Sequence, residues 1–149
     1  MGNRFTERFG VTHPIVQAGM SWASSNVALP AAVSNAGGLG VLAAGPMFVD
    51  DFREALRSLK LATDVPFAVN VPLYRPQADE ILDIVLEEGA PILIASQGGP
   101  SKYLARFQGA GVKCIHVVAS ERHAQKANDA GVDGLIVVGA EAGGHPPPA

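Results

Sequence analysis

The chain has 149 residues, of which 48% are hydrophobic and 17% charged, and its mean hydropathy is +0.20; this composition is typical of one globular domain and excludes a disordered chain. The net charge is −3 and no run of Lys or Arg occurs, which argues against nucleic-acid and anionic-membrane partners. The single cysteine, Cys114, excludes a disulfide framework and a cysteine-rich zinc module.

Six apolar segments predict β-strands. They are rich in Val, Ile and Leu and do not alternate with polar residues, a pattern typical of a parallel sheet covered by helices. The predicted strands begin near Pro14, Leu39, Phe67, Ile92, Lys113 and Gly134. Their spacing of about 24 residues leaves room for one helix and two turns in each repeat.

Five helices are predicted between these strands. They run over about 26–36, from near Asp50, around Ile81 to Leu86, from Pro100 in a first turn, and from the N-cap Ser120 to Gly131. Pro30 falls inside the first helix and is expected to cost it a backbone hydrogen bond or to kink it slightly. The fourth helix is expected to bury Tyr103, Leu104 and Phe107.

The alternation of strands and helices predicts an α/β fold with a parallel sheet. A complete eight-stranded (β/α) barrel of the TIM type takes about 250 residues, so six strands fit either a small open sheet or an incomplete barrel. The sixth strand leads into a Gly-rich loop without a closing helix, which favours the incomplete barrel, with the C-terminal units absent. We therefore interpret 1–149 as the N-terminal portion of a barrel, whose open edges are expected to lead either to a homodimer or to aggregation.

Function in such folds gathers just beyond the carboxyl ends of the strands. The residues there are mostly small residues and amides, which suit a flat aromatic cofactor but also occur in ordinary turns. The four histidines lack metal-ligand spacing, so no metal site is predicted. His116 is expected to be a hydrogen-bonded core residue, His123 to lie on a helix surface, and His145 to be able to exchange protons.

The chain also lacks the features of a membrane or secreted protein. No apolar stretch reaches the about 18 residues that a membrane-spanning helix needs. No apolar segment follows the charged N-terminus, as a signal peptide would require. We expect a cytoplasmic protein.

Four ordered segments carry a resemblance to a known family. They are HPIVQAGM at 13–20, AAVSNAGGLGVL at 31–42, PFAVNV at 66–71 and VGAEAGGH at 138–145. As a set they resemble the flavin-dependent nitronate monooxygenases, and the class II enoyl-acyl-carrier-protein reductases are similar through the same segments. The resemblance implies an eight-stranded barrel that binds FMN at the carboxyl ends of its strands.

The resemblance assigns cofactor-binding roles near the N-terminus. Ala18, Gly19 and Met20 would lie against the isoalloxazine ring, with Gln17 supporting their turn. Asn70 would hydrogen-bond the flavin ring system. These assignments come from the matching motifs alone.

The resemblance also assigns roles near the C-terminus. Gly143 and Gly144 would leave room for cofactor and substrate, Glu141 belongs to the shared E-x-G-G-H pattern, and His145 would be the catalytic histidine. The implied reaction oxidises an alkyl nitronate, or a nitroalkane after loss of its α-proton, with oxygen to a carbonyl compound and nitrite. The alternatives are an NAD(P)H-dependent flavin reductase acting on enoyl thioesters and an inactive, truncated half-barrel.

Overall fold

The computed structural model describes residues 2–144 and contains a parallel sheet of five strands within that range. The strands are β1 (Gly40–Ala43), β2 (Phe67–Pro72), β3 (Ile92–Ser96), β4 (Lys113–Val118) and β5 (Gly134–Val137). The helices are α1 (Arg4–Phe9), α2 (Ala28–Asn35), α3 (Val49–Ala62), α4 (Ala78–Glu87), α5 (Leu104–Gly109) and α6 (Glu121–Ala130). Short 3-10 turns occupy Ser21–Ala23 and Pro100–Lys102.

The order of the strands in the sheet is their order in the chain. Each strand pairs in parallel with the strands before and after it. A doubly wound sheet would reverse its order at a switch point, whereas a (β/α) barrel keeps adding neighbours in one direction. The topology is therefore that of a barrel, as the sequence predicts.

The prediction of an extended strand beginning near Pro14 is wrong. Near Pro14 the structure has a single parallel bridge, between Val16 and Leu39. Beyond it, the side-chain amide of Gln17 replaces the main-chain pairing, because it both donates to and accepts from the backbone of Val41. The Gln17 side chain thus stands where a further main-chain pair with β1 would form.

Two apolar clusters lie on opposite faces of the sheet. The outer cluster packs the strands against the helices and includes Leu42, Phe52, Val69, Leu93 and Phe107. The inner cluster includes Phe9, Val41, Ala68, Ile94 and Ile115. Because side chains alternate along a strand, residues two apart share a face, and both faces of these strands are buried.

Helix α1 was missed in the sequence. Its N-cap Asn3 accepts hydrogen bonds from the backbone of Phe5 and Thr6, and Gly10 ends it in the left-handed region with φ of 71°. Phe9 packs beneath the start of β5, where a Cβ built on Gly134 would lie 3.0 Å from the ring. Helix α1 therefore covers the amino end of the sheet.

Two predicted helices begin elsewhere than expected. Helix α2 begins at Ala28, so Pro30 occupies its first turn, where its missing N–H has no helical partner to lose. The predicted cost of Pro30 is therefore wrong. Pro100 begins a 3-10 turn, and α5 follows from Leu104 because Tyr103 departs from helical geometry.

The remaining helix predictions are confirmed. Tyr103, Leu104 and Phe107 are buried. Ser120 caps α6 by accepting from the backbone N–H of His123, and Gly131 ends that helix in the left-handed region. Within residues 2–144, none of the helices combines the length and the apolar character that crossing a bilayer requires.

Candidate functional site

Two polar side chains face inward at the carboxyl end of the sheet. Asn70 follows the inner residue Ala68 by two positions on β2, and Ser96 follows Ile94 by two positions on β3. The Nδ2 atom of Asn70 donates to the carbonyl of Ile94 at 3.1 Å and lies 3.4 Å from Ser96 Oγ. The described hydrogen bonds of this amide involve Nδ2 alone, so Oδ1 is an acceptor without a partner among residues 2–144.

The segment Gln17–Met20 reaches the same place. A Cβ built on Gly19 would lie 2.6 Å from Asn70 Oδ1 and 2.9 Å from its Cβ and Cγ. Real Cβ atoms do not approach other atoms so closely, so glycine is required for this contact. The sequence predicted both residues at the site, but it gave no indication that one packs on the other.

Gln17 fixes the start of this segment. Its Nε2 atom donates to the carbonyl of Val41 at 2.9 Å and to that of Ala18 at 2.8 Å, and its Oε1 atom accepts from the N–H of Val41 at 3.2 Å. An amide side chain can pair with a peptide group in this way because it carries the same donor and acceptor. Gln17 thus holds the turn against β1.

Met20 and the 3-10 turn complete the segment. The N–H of Met20 donates to the buried Ser24 hydroxyl at 2.8 Å, and Ser25 Oγ donates to the carbonyl of Ala43 at 2.6 Å. These bonds tie the turn to the end of β1. Ala18, Gly19 and Met20 remain exposed, with 45% of Met20 accessible to solvent.

The C-terminal site residues have no described contact with this group. Glu141, Gly143 and Gly144 are exposed beyond β5, and the carboxylate of Glu141 folds back over Gly139. A Cβ built on Gly143 or Gly144 would meet nothing within 4 Å. His145 lies outside the described residues, so its predicted catalytic role is untested.

Arg75 ties two loops at the carboxyl end together. Its guanidinium donates to the carbonyls of Ala44 and Met47, the latter at 2.8 Å, and to that of Pro76 at 3.1 Å. Burial lowers the pKa of Arg75. The sequence shows a lone arginine after a strand and gives no sign of its three carbonyl partners, so this residue was missed.

His116 is a hydrogen-bonded core histidine, as predicted. It lies on the outer side of β4, 4% exposed, with Nδ1 2.8 Å from the Tyr103 hydroxyl and Nε2 2.9 Å from the carbonyl of Gly98. Burial lowers the pKa of His116 and raises that of Tyr103. Cys114 is fully buried and His123 is exposed, and both predictions are confirmed.

Comparison with known proteins identifies the family. Residues 3–83, more than half of the chain, match the family profile described as nitronate monooxygenase. The chain belongs to the nitronate monooxygenase family. The predicted family of enzymes is therefore confirmed.

Three relatives illustrate the likeness. The chain is 36% identical over 143 residues to (3aS,4S,5R,7aS)-5-hydroxy-7a-methyl-1-oxo-octahydro-1H-indene-4-carboxyl-CoA dehydrogenase of Mycobacterium tuberculosis, covering 96% of this chain and 40% of that protein. It is 33% identical over 175 residues to nitronate monooxygenase of Paraburkholderia phytofirmans, covering 91% and 48%. The solved structure of FabK from Thermotoga maritima matches with a TM-score of 0.94 at 40% identity, covering 99% and 47%.

The chain thus spans about half the length, or less, of these two relatives and of the solved structure. The TM-score of 0.94 confirms the predicted TIM-barrel type, of which the described residues form part.

A flavin is the cofactor class that this family supports. An isoalloxazine ring presents ring N–H and carbonyl groups at its edge, and the available Oδ1 acceptor of Asn70 beside the exposed backbone of Ala18 and Gly19 fits such an edge. The residues present therefore fit the ring of a flavin.

Proposed function

We propose that this member of the nitronate monooxygenase family is an FMN-dependent oxidoreductase that converts alkyl nitronates and oxygen to carbonyl compounds and nitrite. The observation that carries the proposal is the packing of Gly19 against Asn70 at the carboxyl end of the sheet, which leaves Oδ1 of Asn70 as an acceptor. When bound, FMN would supply the electron transfer between substrate and oxygen.

The chain's own residues would bind and orient the ring. Asn70 would accept a hydrogen bond from it through Oδ1, while Nδ2 stays bonded to Ile94. Ala18, Gly19 and Met20 would line one side, and Gln17 would hold their turn against β1. Because the Gln17 and Asn70 amides are already bonded to the sheet, little ordering would be needed on binding.

Four residues after β5 complete the proposal. His145 would act on the substrate as a base or orient it, since an imidazole titrates near pH ~6.5. Gly143 and Gly144 would give the substrate access, and Glu141 belongs to the same motif. Their roles rest on the resemblance.

The test is FMN binding followed by nitrite release. Titration of the protein with FMN, followed by flavin fluorescence, should give saturable binding, and an alkyl nitronate under oxygen should release nitrite. Asn70→Ala should weaken FMN binding about ten-fold, because the variant loses a hydrogen bond in a partly buried site.

The matched control for this test is Asn35→Ala. Asn35 also uses its amide in two hydrogen bonds, with Thr63 Oγ1 and the carbonyl of Ala62, but lies at the amino end of the sheet. The Asn35→Ala variant should bind FMN as the unsubstituted protein does. A protein that takes up no FMN contradicts the proposal.

The second candidate is an NAD(P)H-dependent flavin enzyme acting on thioesters. The specific observation in its favour is the 36% identity to a dehydrogenase whose name includes a carboxyl-CoA group, which exceeds the 33% to a nitronate monooxygenase. Anaerobic bleaching of the flavin by NADPH, followed by recovery of its colour with crotonyl-CoA and no nitrite chemistry, would decide for this candidate.

A further inference from the structure

The Tyr103 and His116 side chains form a buried chain of hydrogen bonds that ends on the loop after β3. The carbonyl of Gly98 can only accept, so Nε2 of His116 must carry the proton. Burial lowers the pKa of His116 and so favours the neutral ring, in which Nδ1 accepts from the Tyr103 hydroxyl. The two neighbours then fix the tautomer of this neutral ring.

The loop after β3, which these hydrogen bonds hold, has an unfavourable backbone conformation at one residue. Gln97 adopts φ of 57°, in the left-handed region that side chains disfavour. On one side of it, the carbonyl of Ser96 accepts from the N–H of Leu73 at 2.8 Å. On the other side, Gly98 accepts from His116 and lies so close to Leu73 that a Cβ would come within 2.9 Å of it. Contacts on both sides thus hold Gln97 in place.

The same loop follows directly after Ser96, the last residue of β3, which faces Asn70. Nδ2 of Asn70 lies 3.4 Å from Ser96 Oγ and 3.1 Å from the carbonyl of Ile94. The position of Ser96 therefore helps to decide which way the amide of Asn70 is turned. If Ser96 moves, the bond to Oγ is lost, and the Asn70 amide is held by its bond to the Ile94 carbonyl alone.

We propose that Tyr103 and His116 are positioning residues for the Asn70 amide, acting through Gly98 and Ser96. Neither residue touches the ligand in this proposal. The inference rests on the proposed function for its consequence, because Asn70 is the residue proposed to accept from the flavin ring. The positioning of the Asn70 amide concerns only the protein's own residues and does not depend on a bound flavin.

The experiment measures the Asn70 amide and FMN binding separately in the same variants. Tyr103→Phe removes the hydroxyl alone, and His116→Leu removes both nitrogens. His116→Gln restores one donor and one acceptor. Phe52→Leu is the control, because Phe52 is a fully buried residue of the same outer cluster without a part in the hydrogen-bonded chain.

The first readout is nuclear magnetic resonance without cofactor. Tyr103→Phe and His116→Leu should shift the Asn70 side-chain NH₂ signals and speed exchange of the Leu73 amide about ten-fold, since that amide is bonded to Ser96. Phe52→Leu should do neither, and His116→Gln should return both towards the unsubstituted values. Unchanged Asn70 signals in Tyr103→Phe, or equal shifts in Phe52→Leu, would overturn the inference.

The second readout is FMN titration. Tyr103→Phe should bind FMN about five-fold more weakly, the fold-change expected for one misplaced hydrogen bond. A chain that takes up no FMN at all overturns the proposed function, whereas the Asn70 signals still decide the positioning role. Shifted Asn70 signals with unchanged FMN affinity would overturn the link between the two.

Discussion

The two ends of the sheet use the same strands for different purposes. At the amino end, α1 lays Phe5 and Phe9 on the inner cluster, and Arg8 pairs with Asp133 at the start of β5. At the carboxyl end, the inner face presents Asn70 and Ser96. Trp22 and Phe48 at this end are 73% and 77% exposed; at the amino end Leu61 is exposed as well, but Phe9 is only 4% exposed.

The difference shows how the fold separates stability from binding. The amino end is covered by the chain's own helix α1, and Arg8 pairs with Asp133 there. The carboxyl end keeps the Oδ1 acceptor of Asn70 and the exposed segment from Ala18 to Met20. A ligand can bind to both features. Substitutions at the two ends should therefore change different measured quantities.

The largest effect is expected at the amino end. Phe9→Ala should lower the free energy of unfolding by about 3 kcal/mol, because a buried phenyl ring is replaced by a cavity. Denaturant unfolding measures this change. The FMN affinity of the folded variant should stay the same.

Phe48→Ala is the matched control for Phe9→Ala. Its ring is 77% exposed, so its removal should change the unfolding free energy by no more than about 0.5 kcal/mol. If the two variants lose equal stability, the distinction between the two ends is wrong.

The next largest effect is expected at the carboxyl end. Gly19→Ala places a Cβ 2.6 Å from Asn70 Oδ1, so the loop or the amide must move. FMN binding should weaken at least ten-fold, or about 1.4 kcal/mol, with a smaller change in stability. FMN titration and thermal unfolding measure the two quantities.

Gly109→Ala provides the control for Gly19→Ala. Its new Cβ meets nothing within 4 Å, and the residue lies at the end of α5. It should leave FMN binding unchanged. Equal losses in both variants would mean that the contact with Asn70 is not the cause.

The pH dependence of stability should also differ between the ends. Burial lowers the pKa of His116, helped by His123 and opposed by the hydrogen bond to Gly98. The unfolded chain therefore binds a proton before the folded chain does. Stability is fully present above pH ~6.5 and should fall as the pH drops from there through the pKa of the folded state.

At the amino end the corresponding group is Asp133. Burial alone would raise its pKa, but hydrogen bonds from the Cys114 N–H, Arg8 and Gln108 outweigh burial and lower the pKa. Its contribution is full above pH ~3.9 and is lost as the pH falls through the folded-state value. Denaturant unfolding across pH 3 to 8 should show the upper step disappear in His116→Gln and the lower step weaken in Asp133→Asn. An upper step that persists in His116→Gln would contradict the assignment.

The smallest effect concerns the strained loop. Gln97→Gly should relax the left-handed backbone and raise stability by about 0.5 kcal/mol, since relief of strain exceeds the added flexibility of the unfolded chain. Thermal unfolding measures the gain. A loss of stability would show that the Gln97 side chain contributes contacts of its own.

The parts of the fold that follow local pattern could be predicted from sequence. The five strands from β1 to β5 begin within a residue or so of their predicted starts, because each is a continuous apolar run and four of the runs follow a glycine in the left-handed region. Helix α1 carried readable signals in Asn3 and Gly10, and its six residues were too short to show a helical period. The pairing of Gln17 with Val41 could not be predicted, since it joins residues 24 apart through a side chain.

The site was predictable as a set of residues but not as a geometry. The motifs named Gly19 and Asn70, yet their contact depends on how the first loop bends over β2. Tyr103, Gly98 and His116 meet from separate elements, so no spacing in the chain signals their partnership. Arg75 was missed for the same reason.

The amide of Gln17 also bears on self-association. By occupying both the N–H and the carbonyl of Val41, it leaves no template on that side of β1 for an incoming strand. Within residues 2–144, β5 is the last strand of the sheet and its outer edge can accept a new strand, and Leu135 and Val137 lie in solvent there. One glutamine thereby closes β1 to strand addition at Val41, whereas β5 offers an edge through which two copies can pair.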